Sequence, residues 1–278
     1  MRSVKGKHVL VTGAAMGMGR LFAERAIAEE AAAVVLWDIN EKALNHTLGE
    51  LADGPCAVTG YVVDISDPDE VAATAADVLD DLGHLDVLVN NAGIVRGNAY
   101  FWETDPERDT RATIAVNTLA PMFVAHAFLG SMIGAPGETR LLNISSAAGF
   151  TPNPRMSVYA ASKWALTGWS DSVRLELKQA GHDHVRVTTV CPYYVRTGMF
   201  DGARSAPLLP ILDPDEVVDE AWTGMLVGSP FVVLPRTVLL SEMLKGVLPV
   251  GVRDFIADHV IGVYRTMEDF TGRAVPED

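Results

Sequence analysis

His8–Ile27, HVLVTGAAMGMGRLFAERAI, is the stretch from which the rest of the chain can be read. His8–Thr12 has the pattern of a short apolar strand, and Thr12-Gly13-Ala14-Ala15-Met16-Gly17-Met18-Gly19 follows as a glycine-rich turn. Leu21, Phe22, Ala26 and Ile27 then recur at helical spacing and mark a buried face. Strand, glycine turn and helix together let backbone approach a pyrophosphate and aim a helix N-terminus at it. The spacing T-G-x-x-x-G-x-G differs from G-x-G-x-x-G, and a tight turn without a ligand is the plainer alternative. The flanking strand and helix favour nucleotide binding.

Strand and helix patterns keep alternating beyond this point. Ala33–Trp37 reads as a second strand and ends in Asp38, whose carboxylate can accept both adenosine ribose hydroxyls and repel a 2′-phosphate. Neither Met16 nor the following Ile39 offers a cation to such a phosphate. Cys56–Val63 predicts a third strand closing on Asp64-Ile65, where an acceptor could reach the adenine amine. A helix over Pro68–Leu82 leads to strand Leu85–Val89 and then Asn90-Asn91-Ala92-Gly93. Thr110–Met132 predicts a long helix carrying Asn117 on an apolar stretch. Strand Arg140–Ile144, helix Ser157–Lys178 and strand Val185–Val190 come next. Asp213 caps a helix to Val227 with Pro214 at its first position, and Phe231–Leu234 predicts a seventh strand. The expected fold is therefore single-domain α/β over residues 1–278, a doubly wound parallel seven-stranded sheet with helices on both faces. Gly13, Asp38, Asp64, Asn91, Ser146 and Pro192 all fall at carboxyl ends of strands, where such sheets bind ligands.

A second stretch carries chemistry: Asn143–Lys163, NISSAAGFTPNPRMSVYAASK. Tyr159 and Lys163 stand one turn apart on a single helix face. An ammonium beside a phenol favours the phenolate, and reaching neutrality from a pKa of about 10 needs roughly 4 kcal/mol of differential interaction. Lys163 in a water-poor cleft, with a cationic cofactor ring, could supply it. Ser146 could steady the oxygen that Tyr159 protonates. Taken alone, a Tyr–Lys pair on a helix is usually a surface contact.

Composition narrows the function. Hydrophobic residues at 49% and charged residues at 21% describe a soluble globule, and a net charge of −14 argues against nucleic acid. Cys56 and Cys191 suit a reducing compartment and have no metal-ligand spacing. His182-Asp183-His184 reads as a surface turn, so no metal is expected. No apolar run is expected to reach the length of a membrane span and no signal-peptide segment is read before the glycine motif, so a cytoplasmic protein is expected.

The combination T-G-x-x-x-G-x-G, N-N-A-G, Asn117, Ser146 and Y-x-x-x-K resembles the short-chain dehydrogenase/reductase family over roughly residues 5–200. The resemblance implies a Rossmann-type fold, an NAD cofactor and a homodimer or homotetramer. It implies Tyr159 as general acid/base, Lys163 as its partner and holder of the nicotinamide ribose, and Ser146 on the substrate oxygen, with Ser145 the lesser choice. Asn117 would position a water in the proton relay. The implied cofactor residues are Gly13, Met16, Gly17, Met18, Gly19, Asp38, Ile39, Asp64, Ile65, Asn91, Ala92, Gly93, Tyr159, Lys163, Pro192, Val195 and Thr197. Where the family often has Pro-Gly, this chain has Pro192-Tyr193.

Past Thr197 the resemblance thins. Residues 194–213 form an apolar, proline-bearing loop expected to act as a lid. Residues 236–273 are expected to form a helical cover, with Phe255, Ile256, Val260, Val263, Met267 and Phe270 as its buried stripe. A membrane-surface helix is the sharper alternative, but five basic and five acidic side chains there predict weak attraction to lipid. Phe150, Met156, Tyr193, Met199 and Phe200 flank the expected nicotinamide site without a charge among them. They point to an apolar alcohol or ketone, hydroxysteroid-like, retinoid-like or long-chain, unless Arg155 or Arg196 turns inward to hold an anion. Other readings are a dinucleotide-binding sensor with little turnover, a carbonyl reductase acting on a polar substrate, and an epimerase or dehydratase.

Overall fold

The computed structural model describes residues 1–52 and 54–272. Seven parallel strands form one sheet in the order β3-β2-β1-β4-β5-β6-β7. They are β1 His8–Thr12, β2 Ala33–Asp38, β3 Ala57–Val62, β4 Val87–Asn90, β5 Thr139–Ile144, β6 Val185–Pro192 and β7 Phe231–Leu234. Every residue of β5 is buried, as expected of a parallel strand covered on both faces. One face packs against α1 (Gly17–Ala28), α2 (Glu41–Leu51) and α6 (Pro214–Val227). The other packs against α3 (Pro68–Leu82), α4 (Pro106–Gly134) and α5 (Ser157–Gln179). The two largest buried side chains divide between these layers: Trp222 stacks near Phe22 at 6.3 Å, and Trp37 lies 5.6 Å from Phe128.

Local sequence starts the helices. Asp67 accepts hydrogen bonds from the amides of Asp69 and Glu70, with Pro68 in the first turn; Asp213 accepts one from Asp215, with Pro214 placed likewise. Asn40 caps α2 by accepting from Ala43, and this helix has no counterpart among the elements expected from the sequence. The chain winds outward from β1 to β3, then crosses back to place β4 beside β1. That reversal opens a crevice at the carboxyl ends of the two strands.

Two expectations need correction. α4 begins earlier than expected and contains two π-helical stretches, Pro106–Arg111 and Ala115–Leu119. It also holds an 18-residue window of mean hydropathy 1.5, long and apolar enough to cross a membrane by length and composition. Its inner residues Val124, Phe128 and Met132 are fully buried in the layer under the sheet. The C-terminal stripe does not hold either. The tail forms α7 (Thr237–Lys245) and α8 (Val250–Phe255), then a π-helical stretch Ile256–Ile261 and a short turn Val263–Arg265. Gly246, Pro249 and a left-handed Gly262 cut the segment into pieces that roll independently, so Val263 and Met267 are buried while Phe255 and Val260 are exposed. Phe270 packs beside the buried cluster around Met267, and residue 273 lies outside the described residues.

Candidate active site

The glycine loop is shaped by contacts that exclude side chains. Gly13 has φ +64°, and a Cβ there would stand 2.9 Å from the Cα of Ala92. A Cβ on Gly19 would meet the Gly13 carbonyl oxygen at 2.0 Å. No side chain caps α1, whose N-terminus meets a cleft of about 540 Å³ through Gly17 and Met18. Every residue expected to hold a cofactor lines this cleft except Gly19, which lies behind it and lets the loop close. The residues therefore fit a dinucleotide.

At the β2 end of the cleft, Asp38 is oriented by two amides: Oδ2 accepts from Ala15 at 3.0 Å and Oδ1 from Asn40 at 2.9 Å. Arg20 is committed elsewhere, to Glu24 at 2.7 Å and Glu50 at 2.5 Å. Asn91 donates to the carbonyls of Thr12 and Gly13, tying β4 to the loop. Asp64 Oδ1 accepts from the amide and hydroxyl of Ser66, a local turn at the cleft wall.

Tyr159 and Lys163 are both buried on α5 and face the same cleft. Lys163 Nζ donates to the Ile144 carbonyl at 2.9 Å and lies 5.8 Å from the centre of the Tyr159 ring. Burial pushes the Tyr159 phenol well above its usual range, and a hydrogen bond with Ser146 only partly opposes this. Burial pulls Lys163 down to about 8. The expected lowering of the phenol is thus reversed in the protein alone, because desolvation outweighs a lysine that bonds a carbonyl instead. Cys191, buried behind the pair, is pushed up to about 12 by burial and is a structural thiol.

Ser146 rather than Ser145 bonds the tyrosine. Ser145 Oγ is engaged with the Lys163 carbonyl at 3.1 Å and with Thr167 at 2.7 Å. Asn117 sits in the second π-helical stretch of α4, fully buried. Its Oδ1 accepts from the Ile94 amide and its Nδ2 donates to the Ile94 carbonyl, both at 2.8 Å, with Ser162 Oγ at 3.2 Å. It does not line the cleft, and its side chain locks the segment after β4 against α5.

A second cavity of about 140 Å³ adjoins the first, with Ser146 and Tyr193 in the walls of both. Met156 and Tyr193 line it as expected of substrate residues. Met199 and Phe200 line the cofactor cleft instead. Phe150 lines neither and packs 6.3 Å from Phe231. Of the expected C-terminal stripe, Ile256 and Val263 line this cavity, whereas Leu240, Leu244, Leu248 and Ile261 were missed, their signal being only an apolar tail. Lys245 and Arg253 are also in this wall, paired with Glu242 and Asp254. Arg155 stands over the Tyr100 ring at 4.8 Å and Arg196 is exposed, so neither reaches the cavity.

His184 Nε2 hydrogen-bonds with the Ile133 carbonyl at 3.0 Å, in the turn between α5 and β6. Among the described residues, ligand-like spacing occurs at His8, His84 and Asp86, at the opposite end of the sheet. Asp86 is already held there by Lys7 at 2.7 Å and by the His8 amide at 2.9 Å.

Residues 7–207 match the family described as short chain dehydrogenase. The chain belongs to the short-chain dehydrogenase/reductase family. It is an oxidoreductase of that family. Over 276 residues it is 36% identical to epidermal retinol dehydrogenase 2 of Mus musculus, spanning 98% of this chain and 87% of that protein. A family member from Burkholderia phymatum, solved in complex with NAD, superposes with TM-score 0.80 at 25% identity, covering 88% of this chain and 95% of that one. A metagenomic short-chain oxidoreductase in complex with NADP superposes at 0.69 with 31% identity, covering 83% and 97%.

Proposed function

We propose that this enzyme transfers a hydride between NAD(H) and an apolar alcohol or ketone, with Tyr159 as general acid/base. The observation that carries the reading is the apolar cavity meeting the cleft at Ser146, which also bonds Tyr159. A bound nicotinamide supplies the hydride acceptor and, when oxidised, a positive charge. As phenolate, the form a cationic nicotinamide beside it would favour, Tyr159 takes the carbinol proton in oxidation, and as phenol it gives one up in reduction. Ser146 and Tyr159 together hold the oxygen on which charge develops. Lys163 anchors the ribose side of the cleft, and Asn117 positions the loop beneath it. The similarity to a retinol dehydrogenase supports an apolar alcohol as substrate.

NAD is favoured over NADP because Asp38 lines the ribose end of the cleft with its carboxylate held in place, while Arg20 is tied to two glutamates. The cleft and cavity are tested together by following dinucleotide absorbance with a panel running from short alcohols to retinol-like and steroid alcohols. Turnover should rise with apolar length and favour NAD. A preference for charged or sugar-sized substrates would overturn the reading.

A further inference from the structure

The helices that close the apolar cavity have a second side. Leu244, Leu248 and Ile256 line the cavity, whereas Met243 is 72% exposed and Val247 79%, with Val250, Val252 and Phe255 exposed beside them. Folded monomers rarely leave large apolar side chains gathered in this way, and such patches mark a binding surface. Leu240 belongs to both sides, lining the cavity while 53% exposed, so the outer patch runs into the cavity mouth.

Charge separates this face from the rest of the molecule. The chain carries −14, yet residues 236–265 hold four basic and three acidic side chains, so the negative charge lies elsewhere. An anionic bilayer surface would therefore repel this segment less than the rest of the molecule taken together. At the edge, Lys245 lies 4.7 Å from the centre of the half-exposed Trp164 ring, an aromatic–cation pair suited to the headgroup region. Covering the patch with a second copy would bury the mouth at Leu240, whereas lipid would cover it and also dissolve an apolar substrate.

We propose that α7 and α8 seat on a lipid bilayer surface as interfacial helices, so that substrate passes between lipid and cavity without crossing water. The passage of substrate rests on the proposed function; the seating does not.

Flotation with vesicles of phosphatidylcholine, alone or mixed with phosphatidylserine, tests the seating. The wild-type chain should float with both. A Met243→Glu/Val247→Glu/Val250→Glu variant should float at least tenfold less, with melting temperature and dinucleotide affinity as controls for folding. None of these three side chains lines either cavity. Should the triple variant fail to fold, Val247→Glu alone replaces it. With a long-chain alcohol dissolved in the vesicles, wild-type turnover should exceed that of the variant by a similar factor. Vesicle binding without turnover of any apolar alcohol would overturn the proposed function and leave the seating intact. A wild-type chain that floats with neither vesicle would overturn the seating. So would a variant that floats as well as wild type, or glutamate substitutions that instead dissociate a dimer.

Discussion

A phenol withdrawn from water holds its proton more tightly, and an ammonium withdrawn from water holds its proton less tightly; Tyr159 and Lys163 are placed so that both happen. Proton transfer then depends on what enters the cleft beside them. Tyr159→Phe keeps the ring and removes the transferable proton, so kcat should fall by roughly 10²- to 10⁴-fold. Dinucleotide affinity, read by fluorescence titration, should stay within a few-fold. The lysine also sets a pH dependence of stability. Below about pH 8 it is protonated in the folded and unfolded chains alike, and the burial penalty is present in full. Between about 8 and its ordinary 10.5 the unfolded chain holds a proton that the folded chain has released, so stability rises with pH, by about 3 kcal/mol over the window. Cys191, whose thiol is pushed from about 9 up to about 12, opposes this above about pH 9, and Tyr159 does so above its ordinary value of about 10. Urea melts of wild type between about pH 7.5 and pH 9, below the range where Cys191 offsets it, should show the rise, and Lys163→Met should flatten it. Asp38 decides cofactor choice by the same kind of arithmetic. A phosphate about 4 Å from a carboxylate costs about 1 to 4 kcal/mol, or roughly one to three powers of ten in affinity. Titrating both oxidised dinucleotides should show wild type favouring NAD and Asp38→Ala losing most of that preference.

Among the elements, the glycine loop was the most legible because its spacing is forced by backbone contact. A Cβ on Gly19 meets a backbone oxygen that cannot swing aside. Gly19→Ala should therefore weaken dinucleotide binding more than tenfold and lower stability by about 1–3 kcal/mol. Gly168, exposed within α5, is the contrast: nothing lies within 4 Å of its would-be Cβ. Gly168→Ala should stabilise by roughly 0.5–1 kcal/mol in a thermal melt. Other elements hid from the sequence for physical reasons. α2 buries chiefly Leu44 and Thr47, too thin a stripe to announce a helix, and only the Asn40 cap marks it. The π-helical stretch around Asn117 leaves no periodic signal, yet its side chain holds both backbone groups of Ile94.

At the scale of the molecule, the sheet could be anticipated because strands buried on both faces are continuous apolar runs, and the cofactor cleft follows from their carboxyl ends. The apolar cavity could be anticipated only in part, at Met156, Tyr193 and the C-terminal cover, because it is assembled from the Thr151–Met156 loop, the 194–213 loop and two C-terminal helices that meet only in space. The 194–213 loop, proposed as a lid, is fastened at its base. Val195 pairs with Leu212, the Leu212 amide donates to the Tyr194 carbonyl at 2.8 Å, and the Arg196 amide donates to the Leu212 carbonyl at 3.0 Å. The intervening chain thus leaves and re-enters the fold at one point, and exchanging it adds little loop-closure entropy to the scaffold. Replacing residues 201–211 with a short Gly/Ser bridge should leave dinucleotide affinity within a few-fold while flattening selectivity across a panel of alcohols. Such a clasped segment is an interchangeable cassette: descendants of this chain could acquire new substrates by trading a dozen or so residues, with the hydride-transfer machinery inherited untouched.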